Sequence, residues 1–130
     1  MTAMKLQTAF ADHVGMSTLR LRLLMLLRWQ GESSHSDLRQ ALGTDTASIT
    51  RLVKQFEADG LLVRRMDPDN NRYTLTALAP AGELFADELD RAQQDYQRRL
   101  LYGIGIEQQQ SILDVFRRVH VNIVVAKEQP

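Results

Sequence analysis

The chain has 130 residues, of which 44% are hydrophobic, and a formal net charge of zero. We expect one core-forming domain, alone or with an appended oligomerisation segment, and the overall charge neither supports nor forbids a polyanionic partner. It contains no cysteine, which excludes disulfide frameworks, thiolate zinc sites and cysteine-based redox sensing, and agrees with a reducing cytoplasm. No apolar run approaches the ~20 residues of a membrane-spanning helix, and the amino terminus lacks the pattern of a secretory signal. We therefore expect a cytoplasmic protein without a membrane partner, in which any nucleic-acid site is a local patch.

Two helices are predicted before residue 32. Residues 3–13 predict a weakly amphipathic helix, which Gly15 interrupts. The segment from Ser17 to Gly31 predicts a second helix, with a hydroxyl residue as its N-cap and glycine at its end. Leucines on nearly all sides of this helix indicate a central, buried position. Trp29 near its end could belong to the core or line a ligand pocket, and we favour the core.

The next segment has the spacing of a helix-turn-helix. Residues 33–43 predict a short helix, and Ser34 and Asp37 at its start have the spacing of a capping box. The following helix is predicted to begin after a turn of about three residues, as in helix-turn-helix motifs. It is predicted to end before Gly60, a residue suited to the left-handed conformation that stops helices.

A hairpin and two further helices complete the predicted elements. The β-prone runs "LLVRRM" and "RYTLTAL" flank "DPDNN", which is dense in turn-forming residues and predicts a polar hairpin tip. Pro80 is suited to the first turn of a long helix, and a last helix is predicted over residues 106–125, although its β-branched tail leaves the boundary open. Apolar residues at steps of three and four indicate a stripe for a partner helix. The expected dimerisation residues are Phe85, Leu89, Tyr96, Leu100, Ile112, Phe116 and Val119.

Together these elements predict a mainly α protein with a small β-hairpin (α+β). Its centre is a winged helix-turn-helix core over residues 16–80, expected to be the DNA-binding region. Residues 1–15 and 81–130 are expected to form a helical dimerisation region within the same compact protomer.

The helix over residues 46–58 has a face that suits DNA. Its apolar positions fall at i, i+3, i+4 and i+7 and define a buried side. The other side holds small residues, hydroxyls and cations, among which Arg51 can fork onto guanine and Gln55 can reach adenine. Arg64, Arg65 and Arg72 would flank the duplex from the hairpin. The buried positions are Ile49, Leu52, Val53 and Phe56.

The segment "MSTLRLRLLMLLRWQGESSHSDLRQALGTDTASITRLVKQFEADGLLVRR" resembles the winged-helix core of the MarR family of bacterial transcription regulators. "SDLRQALG", "SITRLVKQFEADGLLVRR" and "DPDNNRYTLTALAPAG" correspond to that family's second, recognition and wing segments, and "IEQQQSILDVFRRV" to its closing dimerisation helix. The resemblance covers residues 16–125. It implies a homodimer that binds a pseudo-palindromic operator in double-stranded DNA, acts as a repressor, and responds to a small-molecule effector.

The resemblance also assigns site residues. Arg72 matches the wing arginine that enters the minor groove, where a narrow A-tract has enhanced negative potential. The family usually has an aspartate two positions before this arginine, which forms an ion pair with it and braces the wing. Here that position is Asn70, with Asp69 beside it, so the sequence leaves open which residue, if either, pairs with Arg72. The expected DNA contacts are Thr46, Ser48, Thr50, Arg51, Lys54, Gln55, Arg64, Arg65, Asn71 and Arg72.

Two other classes of function compete with a DNA-binding regulator. A winged helix can serve as a protein–protein interaction module without specific DNA binding, but Arg51 and Lys54 speak against that use. An enzyme is not expected, since the sequence has no glycine-rich phosphate loop, metal cluster or paired carboxylates. His13, His35 and His120 lie on different segments, so neither a metal site nor a cofactor is predicted.

Overall fold

The computed structural model describes residues 3–128, and the side chains of residues 7–126. This part of the chain holds six helices and a three-stranded antiparallel sheet, which confirms the predicted mainly helical winged helix-turn-helix class. The elements are α1 (Ala3–Val14), α2 (Thr18–Gln30), β1 (Ser33–Ser34), α3 (His35–Leu42), α4 (Thr46–Ala58), β2 (Leu62–Asp67), β3 (Asn70–Leu78), α5 (Pro80–Leu100) and α6 (Ile106–Glu128).

The helix starts follow from local capping chemistry. Side-chain oxygens of Ser17, Ser34 and Asp45 each accept the backbone N–H three residues later, at 3.2, 3.1 and 2.7 Å. Each such bond satisfies one of the N–H groups that a helix start leaves without a partner. Gly43 ends α3 with φ 64°, and three residues separate α3 from α4, which confirms the predicted turn.

The sheet contains a strand that the sequence pattern missed. Its order is β1-β3-β2, and β1 pairs Ser33 with Thr76 and Ser34 with Leu75. The predicted helix over residues 33–43 is therefore wrong at its first two positions, since α3 begins at His35. Two serines carry no strand signal of their own; their extended conformation comes from pairing with a strand more than forty residues further along the chain.

The core surrounds α2, as its leucines predict. Five of its side chains are buried, and they pack against Phe10 of α1, Leu38 of α3 and the apolar side of α4. The prediction that Trp29 belongs to the core is wrong, because its side chain is 64% exposed. Residues 28–30 form the last turn of α2, and all three lie at the surface. The buried α2 side chains are Leu21, Leu23, Leu24, Met25 and Leu27.

The helix α5 packs onto α1, α2 and the end of β3. Its first turn touches backbone: a Cβ built on Gly82 would lie 1.9 Å from the carbonyl oxygen of Leu61. The same carbonyl oxygen accepts the N–H of Ala79 at 2.9 Å, and this hydrogen bond holds the start of α5 close to Leu61. Glycine at residue 82 lets α5 sit directly against the start of the wing.

The residues expected to form the dimer divide into two groups. Phe85, Leu89 and Tyr96 pack onto the core of their own protomer, Leu89 being buried and the other two partly buried. Leu100 is 42% exposed at the end of α5, and Val119 is 47% exposed on α6. Ile112 and Phe116 of α6 are half-buried. The α5 stripe therefore largely serves the internal core, whereas α6 keeps its apolar residues at the surface.

The β-branched end of the chain is helical, and α6 continues to Glu128 instead of ending near residue 125. Among the described residues, no helix is long and apolar enough to cross a lipid bilayer.

Candidate nucleic-acid interface

The helix α4 separates apolar and polar side chains as its sequence predicts. Ile49, Val53 and Phe56 are buried, and Leu52 packs partly buried against the same core. On the opposite side most of the polar side chains are exposed to solvent. Of the predicted DNA contacts on α4, those exposed are Thr46, Arg51, Lys54 and Gln55, and those half-buried are Ser48 and Thr50.

One edge of this polar face is a row of hydrogen-bonding side chains. Ser48, Arg51 and Gln55 are spaced i, i+3 and i+7, so they line up along the helix. The Nη2 atom of Arg51 donates to Ser48 Oγ at 3.3 Å. Arg20 of α2 reaches the same row, and its Nη1 donates to Gln55 Oε1 at 3.1 Å. The row therefore presents a partly ordered set of donors, including a cation contributed by another helix.

The two arginines of β2 are engaged in ion pairs. The Nε and Nη2 atoms of Arg64 each donate a hydrogen bond to a carboxylate oxygen of Glu57 of α4, at 2.8 Å. Those of Arg65 donate likewise to Glu32, at 2.7 Å. These contacts lower the pKa of each glutamate, chiefly by donating hydrogen bonds to its carboxylate. Arg64 and Arg65 thus tie the wing to α4 and to the loop after α2. Each guanidinium keeps its Nη1 group outside these bonds, so the predicted DNA contacts of Arg64 and Arg65 would fall to that group.

The wing tip leaves Arg72 available. Asn70 Oδ1 accepts the backbone N–H of Arg72 at 3.1 Å, and Asp67 Oδ1 accepts that of Asp69 at 2.9 Å. Within residues 7–126 no carboxylate pairs with the Arg72 guanidinium. The side chains of Asp67 and Asn70 therefore bond to the backbone of the turn and do not neutralise the charge of Arg72. Asn71 is exposed beside it.

A cleft of about 340 Å³ lies between α3, the start of α4 and β3. Arg39 and Arg72 both line it, and neither has a carboxylate partner among the side chains that the structure describes. Guanidinium and hydroxyl groups are common hydrogen-bond donors to phosphate oxygens. The lining of the cleft therefore offers donors of the kind that bind phosphate. Its lining is His35, Ser36, Arg39, Thr46, Arg72, Tyr73 and Thr74.

Sequence reasoning missed most of this lining, along with Arg20. Arg39 was detectable, because a charged residue beside the apolar face of a short helix is expected to be exposed. His35 is different: burial and the nearby charge of Arg64 lower its pKa, and its Nε2 is buried without a hydrogen-bond partner. Neither property can be deduced from a single histidine in the sequence.

Other kinds of site find no support in the part of the chain that the structure describes. No group of three or more His, Asp or Glu side chains could hold a metal ion there. The three histidines remain apart, and His13 stacks on Tyr96 at a ring-centroid distance of 4.8 Å.

The chain is similar to known regulators over most of its length. The model of the MarR family matches residues 16–74. The protein YdgJ of Bacillus subtilis, an uncharacterized HTH-type transcriptional regulator, is 34% identical over 114 residues, which cover 88% of this chain and 70% of that protein.

Two solved structures share the fold. A mutant of Escherichia coli MarR complexed with operator DNA superposes with a TM-score of 0.71 at 16% identity, over 88% of this chain and 83% of that chain. BpsR of Bordetella bronchiseptica, whose DNA binding is regulated by 6-hydroxynicotinic acid, superposes with a TM-score of 0.70 at 21% identity, over 88% and 89%.

Proposed function

Because this chain belongs to the MarR family of transcriptional regulators, we propose that it is a homodimeric repressor that binds a pseudo-palindromic operator and is released by a small-molecule effector. The observation that carries the proposal is the division of α4. Its apolar side is buried in a winged helix-turn-helix, and its cationic, hydroxyl-rich side is exposed at the position where such helices enter a major groove.

The proposed contacts follow from this placement. The exposed row of α4 would read base edges, with Arg51 as the guanidinium donor and Lys54 beside a phosphate. The unpaired Arg72 would reach the minor groove, and the cleft below it would take a phosphate through Arg39 and Thr46. Residues 16–80 form the DNA-binding region in this proposal.

Dimerisation and regulation complete the proposal. Residues 1–15 and 81–130 would form the dimerisation region, supported by the apolar residues that α6 leaves at the surface. The two half-sites of such an operator require two copies, and operator symmetry then mirrors protein symmetry. The effector is proposed by analogy with BpsR, and DNA binding by analogy with the operator complex of MarR. A cytoplasmic location agrees with both roles.

Fluorescence anisotropy tests the regulator directly, with labelled DNA from upstream of its own gene and a scrambled duplex of equal length. We expect tighter binding to the former, with a log–log salt slope that steepens by about 0.9 for every phosphate neutralised. Equal and weak affinity for both duplexes would contradict the proposal.

The Arg51→Ala variant tests the register of α4. Loss of a bidentate contact with guanine is expected to cost ~1–3 kcal/mol and to relax base preference at one position of each half-site. Selection of bound duplexes from random DNA measures that preference. Arg118→Ala is the control, because it removes an exposed arginine from α6. An Arg51→Ala protein that keeps the wild-type preference would show that Arg51 does not read bases.

A further inference from the structure

Arg20 lies outside the helix-turn-helix pair but is bonded to α4. It stands in the first turn of α2, thirty-five residues before Gln55, and its Nη1 donates to the Oε1 atom of that residue at 3.1 Å. Its guanidinium carbon also lies 4.8 Å from the ring centroid of Phe56. Phe56 is 2% exposed and fixed in the core, so it provides a rigid platform beneath the cation. Arg20 is therefore held by two contacts, both with neighbouring residues of α4.

The bond to Arg20 changes what Gln55 can offer a base. A glutamine that reads adenine uses both ends of its amide, since Oε1 accepts from N6 and Nε2 donates to N7. Here the oxygen faces α2 and accepts from a charged donor, a stronger hydrogen bond than a neutral one. The oxygen keeps a second lone pair, but its bond to Arg20 turns it toward α2 and leaves the Nε2 group, which only donates, as the end presented to DNA. Guanine presents two acceptors in the major groove, N7 and O6, whereas in adenine a donor, N6, replaces O6 and finds no acceptor in that Nε2 group.

We infer that Arg20 is a positioning residue that sets base specificity by turning the Gln55 amide, so that Gln55 prefers guanine to adenine. The inference rests on the proposed function, because it requires α4 to lie in the major groove. Arg20 itself need not touch a base. The effect belongs to one base position, whereas a residue that only joined α2 to α4 would change stability and leave preference unaltered. The shared core of Leu24, Ile49 and Val53 already joins those helices.

The experiment is selection of bound duplexes from random DNA with the full-length protein and five variants. Arg20→Met keeps the aliphatic stem but removes the donors, and we expect the Gln55 position to change from guanine to adenine by roughly 10-fold in relative enrichment, as one base contact allows. Arg20→Lys retains a cationic donor and is expected to keep guanine. Gln55→Ala should lose preference at that position, and Arg20→Met should have no further effect in that background.

Arg22→Met is the matched control, since Arg22 lies on the same helix and donates to the carbonyls of Ala41 and Leu42 instead of α4. It is expected to keep the wild-type sequence preference. Thermal unfolding of each variant verifies that it is folded. If Arg20→Met binds a specific operator with unchanged preference at every position, the inference is wrong while the proposed function stands. If the wild-type protein selects no sequence at all, both are wrong.

Discussion

The helix-turn-helix and the final helix α6 place their apolar residues in opposite ways. In the former, Ile49, Val53 and Phe56 of α4 are buried within the protomer, and cations, hydroxyls and amides remain outside. In α6 none of the described side chains is buried, and large apolar ones face solvent. A polar exposed face is stable in water without a protein partner and suits contact with a hydrated polyanion. A run of exposed apolar residues on one helix is instead typical of a protein interface. The exposed apolar residues of α6 are Ile106, Val115, Val119, Val121, Ile123, Val124 and Val125.

The largest expected effect comes from placing a charge in the α6 stripe. Val119 lies between Phe116 and Ile123 at helical spacing, so Val119→Asp would bury an unpaired carboxylate if that stripe meets a second copy. A buried unpaired charge costs about 3–5 kcal/mol, enough to raise the dimer dissociation constant by roughly 100-fold or more. Sedimentation equilibrium at micromolar protein is the measurement, and operator affinity should fall with dimerisation.

The control for that variant is Val121→Asp. Val121 is 50% exposed, much like Val119 at 47%, but lies two residues further along and therefore on the other side of α6. We expect its dimer to persist. Two dissociated variants would mean that α6 is buried all round, and two intact dimers would mean that another surface holds the protomers together.

The contrast between the two regions also defines what the sequence could predict. The period of Ile49, Leu52, Val53 and Phe56 identified α4 and its polar face, because local spacing decides which side of a helix is apolar. The same reasoning found the apolar stripe of α5 but assigned it to a partner. Periodicity reveals that a face is apolar and not which element covers it, so Leu89 proved to belong to the internal core.

Contacts between residues distant in sequence were beyond such reasoning altogether. The strand β1 forms because Ser33 pairs with Thr76, and the Arg20–Gln55 bond forms because the fold brings the first turn of α2 near α4. The ion pair of Arg65 with Glu32 likewise joins segments thirty-three residues apart. Each needs the fold before it can be proposed. The cations of the wing could be counted from the sequence, but which of them remain unpaired could not.

A second prediction tests how tightly the wing region is joined to the helices that follow. Gly82→Ala would place a methyl carbon 1.9 Å from the backbone oxygen of Leu61, which cannot move without disturbing the start of β2. We expect a loss of about 1–3 kcal/mol in the free energy of unfolding, measured by urea denaturation. Gly105→Ala is the matched control, since its Cβ would meet its nearest atom at 3.9 Å, and it should change stability far less. If Gly82→Ala and Gly105→Ala lose equal amounts of unfolding free energy, the contact between α5 and Leu61 can yield to an added methyl group, and the prediction is wrong.

The smallest expected effect concerns pH and the cleft beside α3. Burial, and then the charge of Arg64, lower the pKa of His35 from its ordinary value of 6.5. Below that value the unfolded chain therefore binds a proton more readily than the native protein does, and the stability that neutral His35 contributes at neutral pH is lost as pH falls through its native pKa. Glu32 and Glu57, whose pKa values are lowered by their arginines, stay ionised between pH 7.5 and 5.5 and do not add to this loss.

The urea midpoint of the wild-type protein should accordingly fall between pH 7.5 and 5.5, and that of His35→Gln should fall less. His120→Gln removes an exposed histidine from α6 and is expected to keep the wild-type fall. Because Arg39 and Arg72 enter the same cleft, a phosphate bound there would offset their charge and favour protonated His35. Operator DNA should therefore reduce the pH dependence of the wild-type protein toward that of His35→Gln. A pH dependence unchanged by DNA would place the backbone phosphate outside the cleft.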